Sequence, residues 1–152
     1  LGEPIVYLGR ATIRKFKKLS RKHFKVTTYN SFVQQDTFEA TILKTHFLII
    51  PVYEKTHYKL FKELYGYTKI SGNINDMITY SKPAIMPSFY PLSEDLKCIT
   101  ETYNAENDLS ALLLKWIERK EYLKFDFSRL HEEYDLDNVS RKAQKFINKV
   151  TT

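Results

Sequence analysis

Short apolar runs that stop at Gly or Pro alternate along this chain with stretches whose apolar residues recur every three or four positions. Alternation of that kind builds parallel strand–helix–strand units, because each crossover helix must bury its stripe against the sheet. Ile5 to Leu8, ended by Gly9, reads as a buried strand, and a basic helix follows it. Phe24 to Tyr29 reads as a second strand. Asp36 and Glu39 have capping-box spacing and open a helix carrying Phe38, Ile42 and Leu43. Phe47 to Ile50 is a third strand, stopped by Pro51. The tyrosine-rich stretch from Tyr53 to Tyr67 is expected to hold a short helix with Tyr58, Phe61 and Leu64 on one side. Ser71-Gly72-Asn73 is a turn leading into a helix whose Ile74, Met77 and Ile78 face inward. Pro83 feeds a fourth strand, Ala84 to Pro87, and a fifth is expected from Lys97 to Thr102. Leu109, Leu112, Leu113, Trp116 and Ile117 mark a helix over 107–119 lying on a core. Val139, Ala143, Phe146, Ile147 and Val150 mark a last one over 138–150. The expected architecture is a single α/β domain over 1–152, doubly wound and Rossmann-like, with about five parallel strands and helices on both faces.

Charge is unevenly placed. The 24 Lys/Arg and 18 Asp/Glu leave +6. Between Arg10 and Lys25 lie eight bases and no acid, so the remaining chain sums to −2 (6 minus 8). From Glu94 to Asp137 twelve acids face six bases. The basic stretch suggests a face that meets anions such as phosphates, nucleic acid or an acidic membrane; the plainer alternative is a solvated helix with Ile13, Phe16 and Leu19 as its apolar stripe. A hydrophobic content of 43% supports a packed core, and only 4 Gly and 5 Pro argue against low complexity. The longest apolar run, Phe47 to Val52, is too short to span a bilayer. The single cysteine, Cys98, rules out an internal disulfide or a cysteine-based zinc site, fits a reducing, cytoplasmic compartment, and is expected inside the core.

The segment from Lys69 to Pro87 is the most specific in the chain. A turn, Ser71-Gly72-Asn73, opens a helix bearing Asp76; five positions later stands the small residue Ser81, then Pro83 and the apolar strand Ala84-Ile85-Met86. This order resembles the nucleotide-sugar-binding half of glycosyltransferases with two Rossmann-like domains, the B-type (GT-B) fold. Phe47 to Pro51 is similar to the strand ahead of that loop, and 98–116 to the closing strand and helix. The resemblance implies a donor-binding, C-terminal domain that lacks its N-terminal acceptor domain, so that the chain by itself binds rather than catalyses. It implies a nucleotide diphosphate sugar as donor, a glycan or lipid-linked acceptor in the full-length enzyme, and no metal.

The physical logic is that backbone N–H groups at a helix N-terminus hold a diphosphate without a side chain. Ser71, Gly72 and Asn73 let the backbone approach, Lys69 adds a cation, and Asp76 is the family's position for accepting ribose hydroxyls. Two departures stand out. Thr68 replaces an acid that many members carry eight residues before Asp76. The family's basic pair for the diphosphate belongs to a first strand that the order of segments places upstream of Ile5, which leaves Arg10, with Lys15 beside it, as the nearest cation.

Other motifs carry less. Asp135-Leu136-Asp137 spells the Asp-x-Asp of metal-dependent, single-Rossmann glycosyltransferases, yet it precedes the last helix, where Asp137 is a natural cap. His23, His46, His57 and His131 show no metal-ligand spacing. Gly9 stands alone, without a dinucleotide-binding glycine pattern. Pro51 after Ile50 excludes a phosphoacceptor Asp there. The rival reading is a basic module for polyanions or nucleic acid, built on Arg10 to Lys25 with Phe16, Phe24 and Tyr29 nearby. A peripheral contact of the same basic helix with an anionic inner membrane face is a further expectation.

Overall fold

The computed structural model describes residues 27, 29 and 32–150. The chain divides into two compact units, Leu1–Lys44 and Thr45–Thr152. The expected strand Ile5 to Leu8, the basic helix with Arg10, and most of the strand Phe24 to Tyr29 lie outside the described residues; Thr27 and Tyr29 themselves belong to no regular element.

In the first unit the described element is helix α1, Gln35–Lys44. It begins two residues earlier than the capping-box spacing predicts, so Asp36 sits inside the first turn, where its charge suits the helix dipole. Glu39 accepts from Gln35 Nε2 at 2.7 Å instead of turning back on a cap. Ile42 is buried, whereas Leu43 is exposed.

In the second unit a parallel sheet of three strands carries the architecture: β1 (Leu48–Ile49), β4 (Ala84–Pro87) and β5 (Thr100–Tyr103), in the order β1-β4-β5. Leu48 pairs with Ala84 and Ile49 with Ile85; Ala84, Ile85, Met86 and Pro87 pair with Thr100, Glu101, Thr102 and Tyr103. All four residues of the central strand are buried, as expected for an apolar run covered on both sides. Ala84 and Met86 face a core of Ile50, Ile74, Met77, Tyr90, Leu96, Ile99 and Leu130. Alternation sends Ile85 and Glu101 to the opposite face. There helix α4 (Glu106–Arg119) covers them through Trp116, which has no exposed surface. Phe47 and Phe125 flank that indole, Phe47 edge-on at 5.0 Å, and Tyr122 stacks on Phe47. The unit is therefore α/β with a parallel sheet, and no helix among the described residues is long and apolar enough to cross a membrane.

Helix α2, Asn73–Thr79, buries Ile74 and Met77. A short turn of helix, α3 (Glu94–Lys97), precedes β5; α5 (Ser128–Tyr134) packs on both α2 and α3, and α6 (Leu136–Val150) follows it.

Three expectations are corrected in this unit. The stretch from Tyr53 to Tyr67 holds no helix. It is a β-hairpin of β2 (Lys55–Tyr58) and β3 (Phe61–Leu64) around Lys59-Leu60, with Lys59 at φ 54°. The three-residue spacing of Tyr58, Phe61 and Leu64 imitates a helical stripe, but the aromatic and β-branched content and a two-residue turn favour pairing. Thr56 and Glu63, directly opposed, join by a side-chain hydrogen bond of 3.1 Å. The fifth strand starts at Thr100 rather than Lys97, because Ser93 O accepts from Leu96 N and Lys97 N and winds the preceding residues into α3. Cys98 ends that turn and is exposed, so it is no core residue.

Candidate functional site

Ligands of open parallel sheets collect beyond the carboxyl ends of the strands. In this unit that end carries the segment after Ile50, the loop after Pro87 and the loop after Tyr103. Helix α2 runs between β1 and β4, so its first residues stand at the same end.

The turn into α2 is tightly held. Ser71 is buried; its N–H donates to the Tyr90 hydroxyl at 3.2 Å and its Oγ to Asn73 Oδ1 at 3.1 Å. Tyr90 is anchored in turn by its N–H on Pro87 O at the end of β4. Gly72 is the N-cap at φ −57°, and no side chain caps the helix. Gly72 O accepts from Asn75 N and Asp76 N. Among the described residues the N–H groups of Gly72 and Asn73 meet no acceptor, as at most helix starts.

Asp76 lies one turn inside α2, partly withdrawn from water. Burial pushes its carboxyl above the usual aspartate range, and among the described residues no donor reaches its oxygens. A carboxylate in that state is an acceptor without a partner, the property a hydroxyl-binding group needs.

Lys69 does not stand as the open cation expected. Its Nζ lies 3.0 Å from Glu63 Oε2 and 5.3 Å from the Tyr65 ring centroid. The Lys69 ammonium holds Glu63 below the ordinary carboxylate range, which places a neutral pair, not a net charge, beside the turn. The sequence gives no sign of the Glu63 partner, because the hairpin that carries it reads as a helix. Thr68, at the position of the family's second acid, is a turn residue: Leu64 N donates to its Oγ1 at 2.8 Å. Arg10 lies outside the described residues.

At the far end of α2, Ser81 adopts φ 48°, the left-handed region that favours glycine. The Ser81 hydroxyl also shares a hydrogen bond of 2.8 Å with His131 Nε2. Met77 O then accepts from Lys82 N, and the chain passes through Pro83 into β4.

Around the ends of β4 and β5, Ser88 Oγ bonds to Asn104 Oδ1, and the N–H groups of Asn104 and Ala105 donate to Asp108 Oδ2. For Tyr90, Ser88 and Asn104 the sequence offers a polar, aromatic segment directly after a buried strand as its signal. An open groove runs beside β5, lined by Thr102, Asn104, Asp108, Ala111, Leu112 and Lys115. A second hollow lies in the first unit against α1. Among the described residues, none of the expected binding residues lines either.

The Asp-x-Asp decoy is a cap, with its partners exchanged. Asp135 Oδ2 accepts from Asp137 N at 3.0 Å, so Asp135 opens α6 and Asp137 lies in its first turn. No cluster of His, Cys, Asp and Glu among the described residues could hold a metal ion. No family model, no curated protein and no solved structure matches the chain.

Proposed function

We propose that this chain is the donor-binding part of a GT-B-type glycosyltransferase, a doubly wound Rossmann-like domain that holds a nucleotide diphosphate sugar while a separate domain presents a glycan or lipid-linked acceptor. The observation that carries the reading is Asp76, whose carboxylate is partly withdrawn from water yet accepts no hydrogen bond from the described residues. It sits one turn inside an uncapped helix start, beyond the carboxyl ends of a parallel sheet. The left-handed Ser81 and the wholly buried strand after Pro83 support the same reading.

In this proposal Gly72 and Asn73 offer N–H groups to the diphosphate, Ser71 fixes the turn through Tyr90, and Asp76 accepts the ribose hydroxyls. Lys69 contributes as a pair with Glu63 and turns to the phosphates only by leaving it. Further positive charge then comes from the separate acceptor domain. The donor-site dipoles stabilise the departing diphosphate, which is electrostatic assistance to a leaving group and requires no metal.

Calorimetric titration of the chain with UDP, GDP, ADP and dTDP at low and high salt tests this. Saturable one-to-one binding with preference for one base, lost in Asp76→Ala, is the expected result. The rival polyanion reading rests on the eight bases between Arg10 and Lys25. It predicts binding without base preference that falls steeply with salt and ignores Asp76. That outcome overturns the donor-site reading.

A further inference from the structure

Strand β5 ends the parallel sheet on one side, and among the described residues no further strand joins its outer edge. The register turns Ile99, Glu101 and Tyr103 toward β4: Ile99 O accepts from Ala84 N, and Tyr103 O from Ser88 N. The backbone N–H and C=O groups of Thr100 and Thr102 therefore point away from the sheet. Among the described residues they meet no partner, and Thr102 is exposed. Such an edge is a template for one more strand. The groove lined by Thr102, Asn104, Asp108, Ala111, Leu112 and Lys115 runs along the same edge, between β5 and α4.

We infer that β5 pairs antiparallel with β5 of a second copy of this chain. Two three-stranded sheets then join into one of six strands (three from each copy), and the two α4 helices pack across a two-fold axis. A row of outward N–H and C=O groups is matched along its length by another extended backbone. The choice of a second copy over a foreign strand rests on self-complementarity. An axis at Thr102 sets Thr102 opposite its own copy, Thr100 opposite Asn104 and Glu101 opposite Tyr103. Outward-turned residues thus face one another, and no charge meets its like. An axis at Glu101 would set that acid against itself. The helices obey the same axis. Asn104 N donates to Asp108, and Glu101 accepts from Lys115, so Thr102 lies level with the part of α4 between those two residues. The axis brings Ala111 to Leu112 of the second copy, a small side chain to a large one, and Asp108 to Lys115. Both charged groups keep capacity beside their own partners. Asp108 Oδ1 accepts from no described residue, and Lys115 engages one of three ammonium protons on Glu101. The inference does not depend on the nucleotide reading, and the oligomeric state reports on it without any nucleotide.

The test is sedimentation equilibrium of the full chain at roughly 1–100 μM. A monomer–dimer equilibrium is expected. Thr102→Pro removes an outward N–H and leaves the β4–β5 ladder intact, because an edge strand tolerates proline where its N–H faces away from the sheet. It should raise the dimer dissociation constant at least roughly tenfold, with far-UV circular dichroism matching the parent. Ala111→Glu leaves the strand untouched, at an exposed helical position, and sets a charge against Leu112 of the second copy. It should weaken the dimer by a similar factor. Where Thr102→Pro does not fold, Ala111→Glu alone decides. A monomer throughout the range overturns the inference, because the edge then awaits a strand of another chain. So does a dimer that either folded variant leaves unchanged, because the contact then lies on another face.

Discussion

The indole N–H of Trp116, on a side chain with no exposed surface, donates to the carboxylate of Glu101, which also takes the Lys115 ammonium at 2.7 Å. The largest side chain on one face of the sheet is thus oriented by an acid that points to the same face from the edge strand. Burial opposes ionisation of Glu101, but the hydrogen bonds from Lys115 and Trp116 together outweigh it and hold the carboxyl below the ordinary range.

A group whose acidity is increased by folding stabilises the native state at pH values above its unfolded pKa. That contribution disappears as the pH falls through the folded value. Glu101→Ala should therefore destabilise the chain by roughly 1–3 kcal/mol at neutral pH, leaving a buried indole N–H unpaired. The difference from the parent should shrink on acidification below the carboxylate range, as read from urea melts at neutral and acidic pH. An equal loss at both pH values would remove the ionised carboxylate from the account.

Asp76 behaves with the opposite sign. Its carboxyl is raised by burial, so the contribution it makes is fully present only below the unfolded pKa and is lost as the pH rises through the folded one. Asp76→Asn should raise stability at neutral pH and leave it unchanged in acid. In the proposed donor site, Asp76→Ala should weaken nucleotide binding by roughly 1–3 kcal/mol, as for a lost charged hydrogen bond. Greater stability of Asp76→Asn, read by thermal melts, together with weaker binding of Asp76→Ala, read by calorimetry, is the expected pair of results.

Gly66 ends the hairpin at φ 86°, with its N–H on Lys69 O at 2.7 Å. A Cβ built there would stand 2.3 Å from Pro91 Cδ and 2.7 Å from Cγ, atoms of a ring that cannot rotate away. Gly66→Ala combines that overlap with a disfavoured backbone and should cost roughly 1–3 kcal/mol. A chemical-denaturation midpoint equal to that of the parent would contradict the packing of Gly66 on Pro91.

Lys120 closes α4 in the left-handed conformation, φ 50° and ψ 41°, the position where helices most often place glycine. Lys120→Gly should gain up to about 1 kcal/mol by relieving the Cβ clash. Thermal denaturation checks it, and a lowered Tm would point to a role for the lysine side chain instead.

The parts of the fold that were legible in the sequence are those with a single period and clear punctuation. Pro83 and Pro87 bracket β4, and Trp116 with its leucine neighbours marks α4; both elements occur where the pattern puts them. The hairpin is not legible because the three-residue spacing of Tyr58, Phe61 and Leu64 fits a helix, whereas the two-residue turn makes Tyr58 and Phe61 a cross-strand pair. Cys98 was misplaced because an apolar neighbour, Ile99, is buried while Cys98 itself ends a helical turn. Of the candidate site, the turn at Ser71 and the helix bearing Asp76 follow from local chemistry. The neutralisation of Lys69 by Glu63 does not, since it depends on where the chain returns after β3. Tyr90, nineteen residues beyond Ser71, was invisible for the same reason.

The pairing of the parallel strands sets an order on folding. Ala84 meets Thr100 across 16 residues of chain, whereas Leu48 must find Ala84 across 36 (84 minus 48). The hairpin closes across a two-residue turn and is free to form before either. Each long closure costs entropy before any sheet contact offsets it, which slows nucleation relative to a hairpin. The β4–β5 pair with α3 between them is thus the natural nucleus, and β1 joins last. Until it does, one edge of the wholly buried strand β4 stands open to any other unfinished copy, which makes refolding yield depend on protein concentration.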